Sequence, residues 1–317
     1  MFLMAPGSPS ALIIRLDAIG DALALTPLLA ALLGRGIPVD LVLNEGNAKI
    51  FASRATRDVF VAPFEQRSST RANLASIAKF GAELRNNNYS HVLVATEDPG
   101  GYRLARAVGA PNRVGFVNGF GKPLKTVWAS TFLTQTLYRS AGLDRSAPHE
   151  CNVLFELGRT LLDDDVHATQ DTQTLRALVL ERDVPPGTNI VFQVTDKWER
   201  LGIAFDDVVL ALQAMSLRGS VRAITAESER AYAERVSVAS RMEVETLSDL
   251  ESWKEAIGSA AMLVAPDSGA IHVAGMIGTP VIGVFPVENF DLQVARWAPW
   301  ASVSRIIPAQ PGWPSKI

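Results

Sequence analysis

Two segments place acidic, hydroxyl and cationic side chains directly behind apolar runs, where they can act on a charged substrate. In one, Asp267, Ser268, Gly269 and His272 follow the run Met262 to Ala265 and a Pro266 turn. A helical pattern then runs from Ala270 to Ile277, and Gly278-Thr279-Pro280 closes it before the apolar run Val281 to Phe285. The first N–H groups of such a helix lack intrahelical partners, and its start carries about half a positive charge. A phosphate can be held there without a metal. The plainer reading is structural, because Asp-Ser-Gly is a common turn and Asp or Ser a common helix cap.

In the other segment, Ile13-Ile14-Arg15-Leu16-Asp17 runs through Gly20 into Asp21 and an apolar helical pattern. This puts a carboxylate at the carboxyl edge of a buried strand. Asp21 either caps the helix, worth about 1 kcal/mol, or serves as a general base in a pocket. No G-x-G-x-x-G follows the strand, and the segment is no Walker A loop, so neither nucleotide fingerprint applies.

The elements that must position these residues alternate along the whole chain. Strand patterns fall at 11–16, 39–43, 59–62, 91–95 and 113–116, and again at 189–194, 221–225, 244–247, 262–265 and 281–285. Helical patterns fill 21–33, 74–85, 102–108 and 149–162, then 205–217, 229–239, 250–260 and 270–277. Between the two series lies a polar stretch closed by Val184-Pro185-Pro186-Gly187, with room for a short helix at 174–181. The expectation is α/β: a domain at 1–165, a linker at 166–187, and a second domain at 188–317. Each is Rossmann-like with a parallel sheet, and the two face each other across a cleft. The tail from Asp291, rich in Trp and Pro, reads as mostly irregular.

Bulk properties narrow the function. With 317 residues, 48% of them hydrophobic, the chain can fill two cores. A net charge of −3 gives no global basic field, so nucleic acid is not an expected partner. The charge is uneven, however. Residues 1–165 hold 17 Lys/Arg against 15 Asp/Glu, and residues 166–317 hold 13 against 18. Arg54, Arg57, Arg67, Arg71, Lys79 and Arg85 make up much of the positive charge. They form either a solvated face or a surface for an anionic acceptor or acidic membrane.

The single cysteine, Cys151, excludes an internal disulfide and points to a reducing, cytoplasmic setting. The start lacks the basic flank of a signal peptide, and the apolar stretch Ala22–Leu33 is too short to span a bilayer. Asp163-Asp164-Asp165 contains a D-x-D, but in a polar linker it reads as a solvated acidic turn. With four scattered histidines, no metal site is expected.

Taken in order, these segments resemble family 9 glycosyltransferases, the ADP-heptose:lipopolysaccharide heptosyltransferases. The resemblance rests on the apolar strand, basic residue and Gly20-Asp21 of the first unit. It rests equally on the strand, Asp267-Ser268-Gly269-x-x-His272 and Gly278-x-Pro280 of the second. Lys197-Trp198 resembles the family's Lys-Trp segment, and His149-Glu150 with Asn152 its His-Glu helix start. The resemblance implies a GT-B fold with a metal-independent, inverting transfer, no cofactor beyond the nucleotide-sugar donor (ADP-linked), and an anionic glycolipid or glycan acceptor of the lipopolysaccharide-core kind. It implies Asp21 as base, with Arg15, Asp17 and Gly20 on the acceptor side. Lys197, Asp267, Ser268, Gly269 and His272 would hold the donor, with Glu227 (Glu229 as second choice) on its ribose. It also implies a cytoplasmic location with room for peripheral contact at the inner membrane.

The chain departs from the family pattern at Arg15, where Lys is common, and at Pro286-Val287-Glu288-Asn289, where Gly and Thr are expected. The latter keeps a non-catalytic nucleotide-sugar or glycan-binding homologue open. A GT-B-type epimerase or hydrolase is a further alternative.

Overall fold

Continuous apolar runs bounded by turn residues become parallel strands here because both sheet faces are covered. The structure, a computed structural model, describes residues 9–140, 142, 148–310 and 312–313. It divides into two units, Met1–Thr169 and Gln170–Ile317.

The first unit carries β1 (Ala11–Arg15), β2 (Val39–Leu43), β3 (Asp58–Val61), β4 (His91–Val94), β5 (Asn112–Val117) and β6 (Gln135–Tyr138). Their order is β3-β2-β1-β4-β5-β6, with every neighbour parallel. β1 and β2 are buried at every position, whereas the edge strands β3 and β6 are largely exposed. Leu12, Ile14, Val42, Val92 and Val94 pack one sheet face against Ile77, Phe80, Tyr102 and Leu104.

The second unit repeats the plan with β7 (Ile190–Gln193), β8 (Val221–Ala226), β9 (Val244–Leu247), β10 (Met262–Pro266), β11 (Val281–Phe285) and β12 (Ser304–Pro308). Its order, β12-β11-β10-β7-β8-β9, is the same doubly wound topology, again all parallel. The strand order reverses between β1 and β4 in one sheet and between β7 and β10 in the other. In open α/β sheets, ligands collect outside the carboxyl ends of the strands at that reversal.

The structure corrects several expectations. The helix expected at 21–33 is two helices, Ile19–Leu23 and Thr26–Gly34, because Pro27 has no N–H to give and instead opens the second. The helix expected at 149–162 is α only over Glu150–Phe155 and continues as a 3-10 turn over Glu156–Leu161. The stretch read as a linker gives the helix Thr172–Val179 to the second unit, where Leu175, Leu178 and Val179 are buried.

The tail is more regular than its composition implies. It forms the helix Phe290–Trp297 and the edge strand β12, which pairs with β11 along its full length. Trp313 is buried and stacks on Trp198, their rings 4.9 Å apart. The tail also reaches the Gly269–Ile277 helix, where a Cβ on Gly275 would lie 2.8 Å from the Trp300 backbone nitrogen. Among the described residues, no helix is long and apolar enough to cross a membrane.

Candidate active site

Arg15 ends β1 and is almost fully buried, a position a guanidinium occupies only when its donors are matched. They are matched across the strand-order reversal. Its NH1 donates to the Ala95 carbonyl just beyond β4, and its Nε donates to the Asp21 carbonyl at 3.1 Å. Its NH2 donates to Asp21 Oδ1 at 2.8 Å. Asp21 sits in the first turn of the Ile19–Leu23 helix, and its Oδ2 accepts from the Ala18 N–H at 3.3 Å. The carboxylate is therefore both a helix-start ligand and the partner of a buried cation.

The network extends further than the sequence indicated. Glu150 is fully buried, with Oε1 3.6 Å from Arg15 and 2.9 Å from Arg139 NH2. Arg139 lies 3.9 Å from Glu97, which Lys125 holds at 2.6 Å. Burial pushes the Glu97 carboxyl up, but Lys125 first, then Arg139 and Lys122, outweigh it and leave its pKa below the usual range. Asp17 stands 3.5 Å from Arg15, and its carbonyl accepts from Asn44 and Asn47 at 2.7 and 2.5 Å. Glu150, Arg139 and Glu97 were not foreseen as site residues. Only Glu150 carried a signal, in the His149-Glu150 pair. The neighbouring Cys151 is buried, and burial first, then Glu150, pushes its thiol pKa well up, so it is no nucleophile.

The second unit's reversal is furnished differently. Ser268 takes the N-cap position of the Gly269–Ile277 helix with extended dihedrals (φ −157°, ψ 172°), yet its hydroxyl makes no capping bond. That Oγ is buried without a hydrogen-bond partner. A buried hydroxyl left so costs about 1–3 kcal/mol. Gly269 follows as the first helical residue, and the Asp267 N–H is spent on the Val284 carbonyl at 2.8 Å. His272 lies one turn on, its ring set edge-on to Trp297 with centroids 5.9 Å apart.

On the adjoining strand, β7 exits through Thr195 into the one-turn helix Lys197–Arg200. Trp198 anchors that turn. It is fully buried between the rings of Phe192 and Trp313 and donates to the Gln193 carbonyl at 2.9 Å. Lys197 is half-buried, and no ion pair is found for it among the described residues. Glu227 is exposed beyond β8 and bound through both oxygens to Arg230, at 2.8 and 2.7 Å. Glu229 instead accepts from the Asp196 N–H at 2.8 Å and fixes the β7 exit. Asp163 of the D-x-D pairs with Arg35, as a structural turn would.

Two six-stranded doubly wound sheets of one topology, each with its polar groups at the reversal, define the GT-B class of glycosyltransferase fold. The sequence profile of Glycosyltransferase family 9 (heptosyltransferase) matches residues 204–312, all within the second unit. No curated protein sequence matches the chain. Solved structures share the fold. A family 9 glycosyl transferase from Veillonella parvula superposes with TM-score 0.69 at 16% identity, covering 95% of this chain and 86% of its own. The ADP-heptose LPS heptosyltransferase II of E. coli gives 0.67 at 15%, covering 94% and 90%. The E. coli heptosyltransferase WaaC, solved with ADP, gives 0.64 at 19%, covering 95% and 94%.

Proposed function

We propose that this protein is a metal-independent, inverting glycosyltransferase that moves a heptose or similar sugar from an ADP-linked donor to a lipopolysaccharide-core or related anionic glycan. The observation that carries the reading is the Ser268 hydroxyl, buried and unpartnered at the N-terminus of a helix beside the β7–β10 reversal. A diphosphate supplies the acceptor oxygens such a site lacks. Lys197 adds a positive charge for which no ion pair is found among the described residues, and this suits a leaving group that gains negative charge as the sugar departs. His272 and Asp267 border the same helix start. Ribose contact by Glu227 would require exchange of its Arg230 pair.

In the first unit, Asp21 is the base on the acceptor hydroxyl. Arg15 fixes the carboxylate through Oδ1, and the Ala18 N–H fixes it through Oδ2. The Asp21 oxygens keep lone pairs beyond these two bonds, so a hydroxyl proton can be taken without breaking them. Gly20 and Asp17 complete the acceptor side. The attacking oxygen displaces the nucleoside diphosphate in line, which inverts the anomeric centre. The acceptor proton ends on Asp21.

The test separates the two roles. Asp21→Ala is expected to abolish transfer while donor binding by calorimetry stays at the wild-type level. Lys197→Ala is expected to weaken donor binding. Normal turnover by Asp21→Ala would end the base assignment.

A further inference from the structure

Eleven large apolar side chains stand exposed among the described residues, and four of them fall between positions 120 and 138. Phe120 is fully exposed, Leu124 is 87% exposed, Val127 69% and Tyr138 72%. They belong to one face of the first unit. Leu124 and Val127, three residues apart on the Pro123–Ser130 helix, point the same way. Phe120 lies in the turn Gly119–Gly121 before that helix. The Tyr138 ring lies over the same turn, since a Cβ on Gly119 would be 3.1 Å from it.

The fold does not use this face. The helix is anchored from its other side by Trp128, which packs on Tyr102 and Phe132 at 5.8 and 4.7 Å, and by buried Ala129. Thr126 ties it to the preceding turn through the Gly119 carbonyl at 3.1 Å.

Charge decides what covers such a face. From residue 99 to residue 143 the sequence has no Asp or Glu, yet it has Arg103, Arg106, Arg113, Lys122, Lys125 and Arg139; Lys125 and Arg139 are held by Glu97 and Glu150, while Arg106 and Lys122 stay exposed. Lys122 is 47% exposed next to Phe120 and Leu124 in the chain, and its nearest acid is Glu97 at 3.9 Å. Apolar side chains bordered by cations, on a short helix with its other side buried, fit the headgroup region of an anionic bilayer. A second copy of the chain would bring the same cations against one another, which disfavours self-association. The arginine cluster expected from the sequence to meet acidic lipid is partly committed elsewhere. Arg57 is bound to Asp40, and Arg85 donates to the Ala107 carbonyl.

We propose that the face formed by Phe120, Leu124, Val127 and Tyr138 docks this protein on an anionic lipid bilayer, with the apolar side chains entering the interface and Lys122 meeting headgroups. Docking through this face is independent of the proposed sugar donor and acceptor. The full chain is sedimented with vesicles of phosphatidylcholine alone and of phosphatidylcholine with phosphatidylglycerol. Binding to the anionic vesicles is expected, with little to the neutral ones, and it should weaken as salt is added. Phe120→Ser with Leu124→Ser should lower that binding by about tenfold or more, with the thermal midpoint unchanged. Equal binding by variant and wild type would overturn the proposal, as would equal binding to both kinds of vesicle or none to either. A wild-type dimer that the double substitution splits, with vesicle binding unaltered, would assign the face to a second copy and overturn it too.

Discussion

The two units share a strand order but use its reversal in opposite ways. Between β1 and β4, most of the polar groups are ion-paired with one another, although Asp17 Oδ2 and Arg139 Nε are buried without a hydrogen-bond partner. Arg15 bridges the strands, Asp21, Asp17 and Glu150 surround it, and Arg139, Glu97 and Lys125 carry the alternation outward. Between β7 and β10, the corresponding position has a helix start, an unpartnered buried hydroxyl on Ser268, and Lys197, which has no ion pair among the described residues. In the proposed reading, the first arrangement holds a base and the second receives an anion. Topology brings the crevice, and the balance of partners decides whether a site holds its own charge or takes a ligand's.

Breaking the ion-paired side should cost folding. Arg15→Leu strands Glu150, Asp21 and Asp17 in and around the core, and is expected to destabilise the protein by about 3–5 kcal/mol in urea unfolding. Lys197→Met, on the ligand side, should stay within about 0.5 kcal/mol of wild type. Similar losses in both variants would erase the contrast. A second lever lies on the tail. Gly275→Val drives a side chain into the Pro299–Trp300 backbone, and about 1–3 kcal/mol should be lost from the helix that opens at Gly269.

Much of this was legible from the chain because parallel strands buried on both faces are uninterrupted apolar runs. β2, β9 and β11 lie where the patterns put them. The edges were not legible. β6 is the four-residue Gln-Thr-Leu-Tyr, mostly exposed, and nothing local distinguishes it from a loop. β12 holds only Ile306 and Ile307 as apolar strand residues between polar neighbours and Pro308, and becomes a strand through β11. Missing β6 also hid Arg139, which directly follows it. The ionic network escaped for a related reason, since Arg15 and Glu150 meet only once the chain has folded. The proposed donor residues Asp267 to His272 lie close together in the chain and so stand out in the sequence.

Smaller effects sharpen the contrast. Ser268→Ala removes a hydroxyl the fold does not use, so stability should hold while ADP affinity falls about tenfold by calorimetry. Unchanged affinity would leave the hydroxyl unexplained. On the ion-paired side, the lowered pKa of Glu97 means its ion pairs contribute fully above the unfolded value near 4.5. That contribution is lost as pH falls through the folded value. The stability advantage of wild type over Glu97→Gln should therefore shrink between about pH 6 and pH 3. A constant difference over that window would show that Lys125 and Arg139 do not stabilise the charged form.

Hydrogen–deuterium exchange of the full chain with and without saturating ADP tests the division of labour most directly. Added protection is expected at the backbone amides of Ser268 to Ile271 and around Lys197, with exchange at Asp17 to Ala22 unchanged. Protection that appeared at Asp17 to Ala22 and left the Ser268 helix start unaltered would contradict the account.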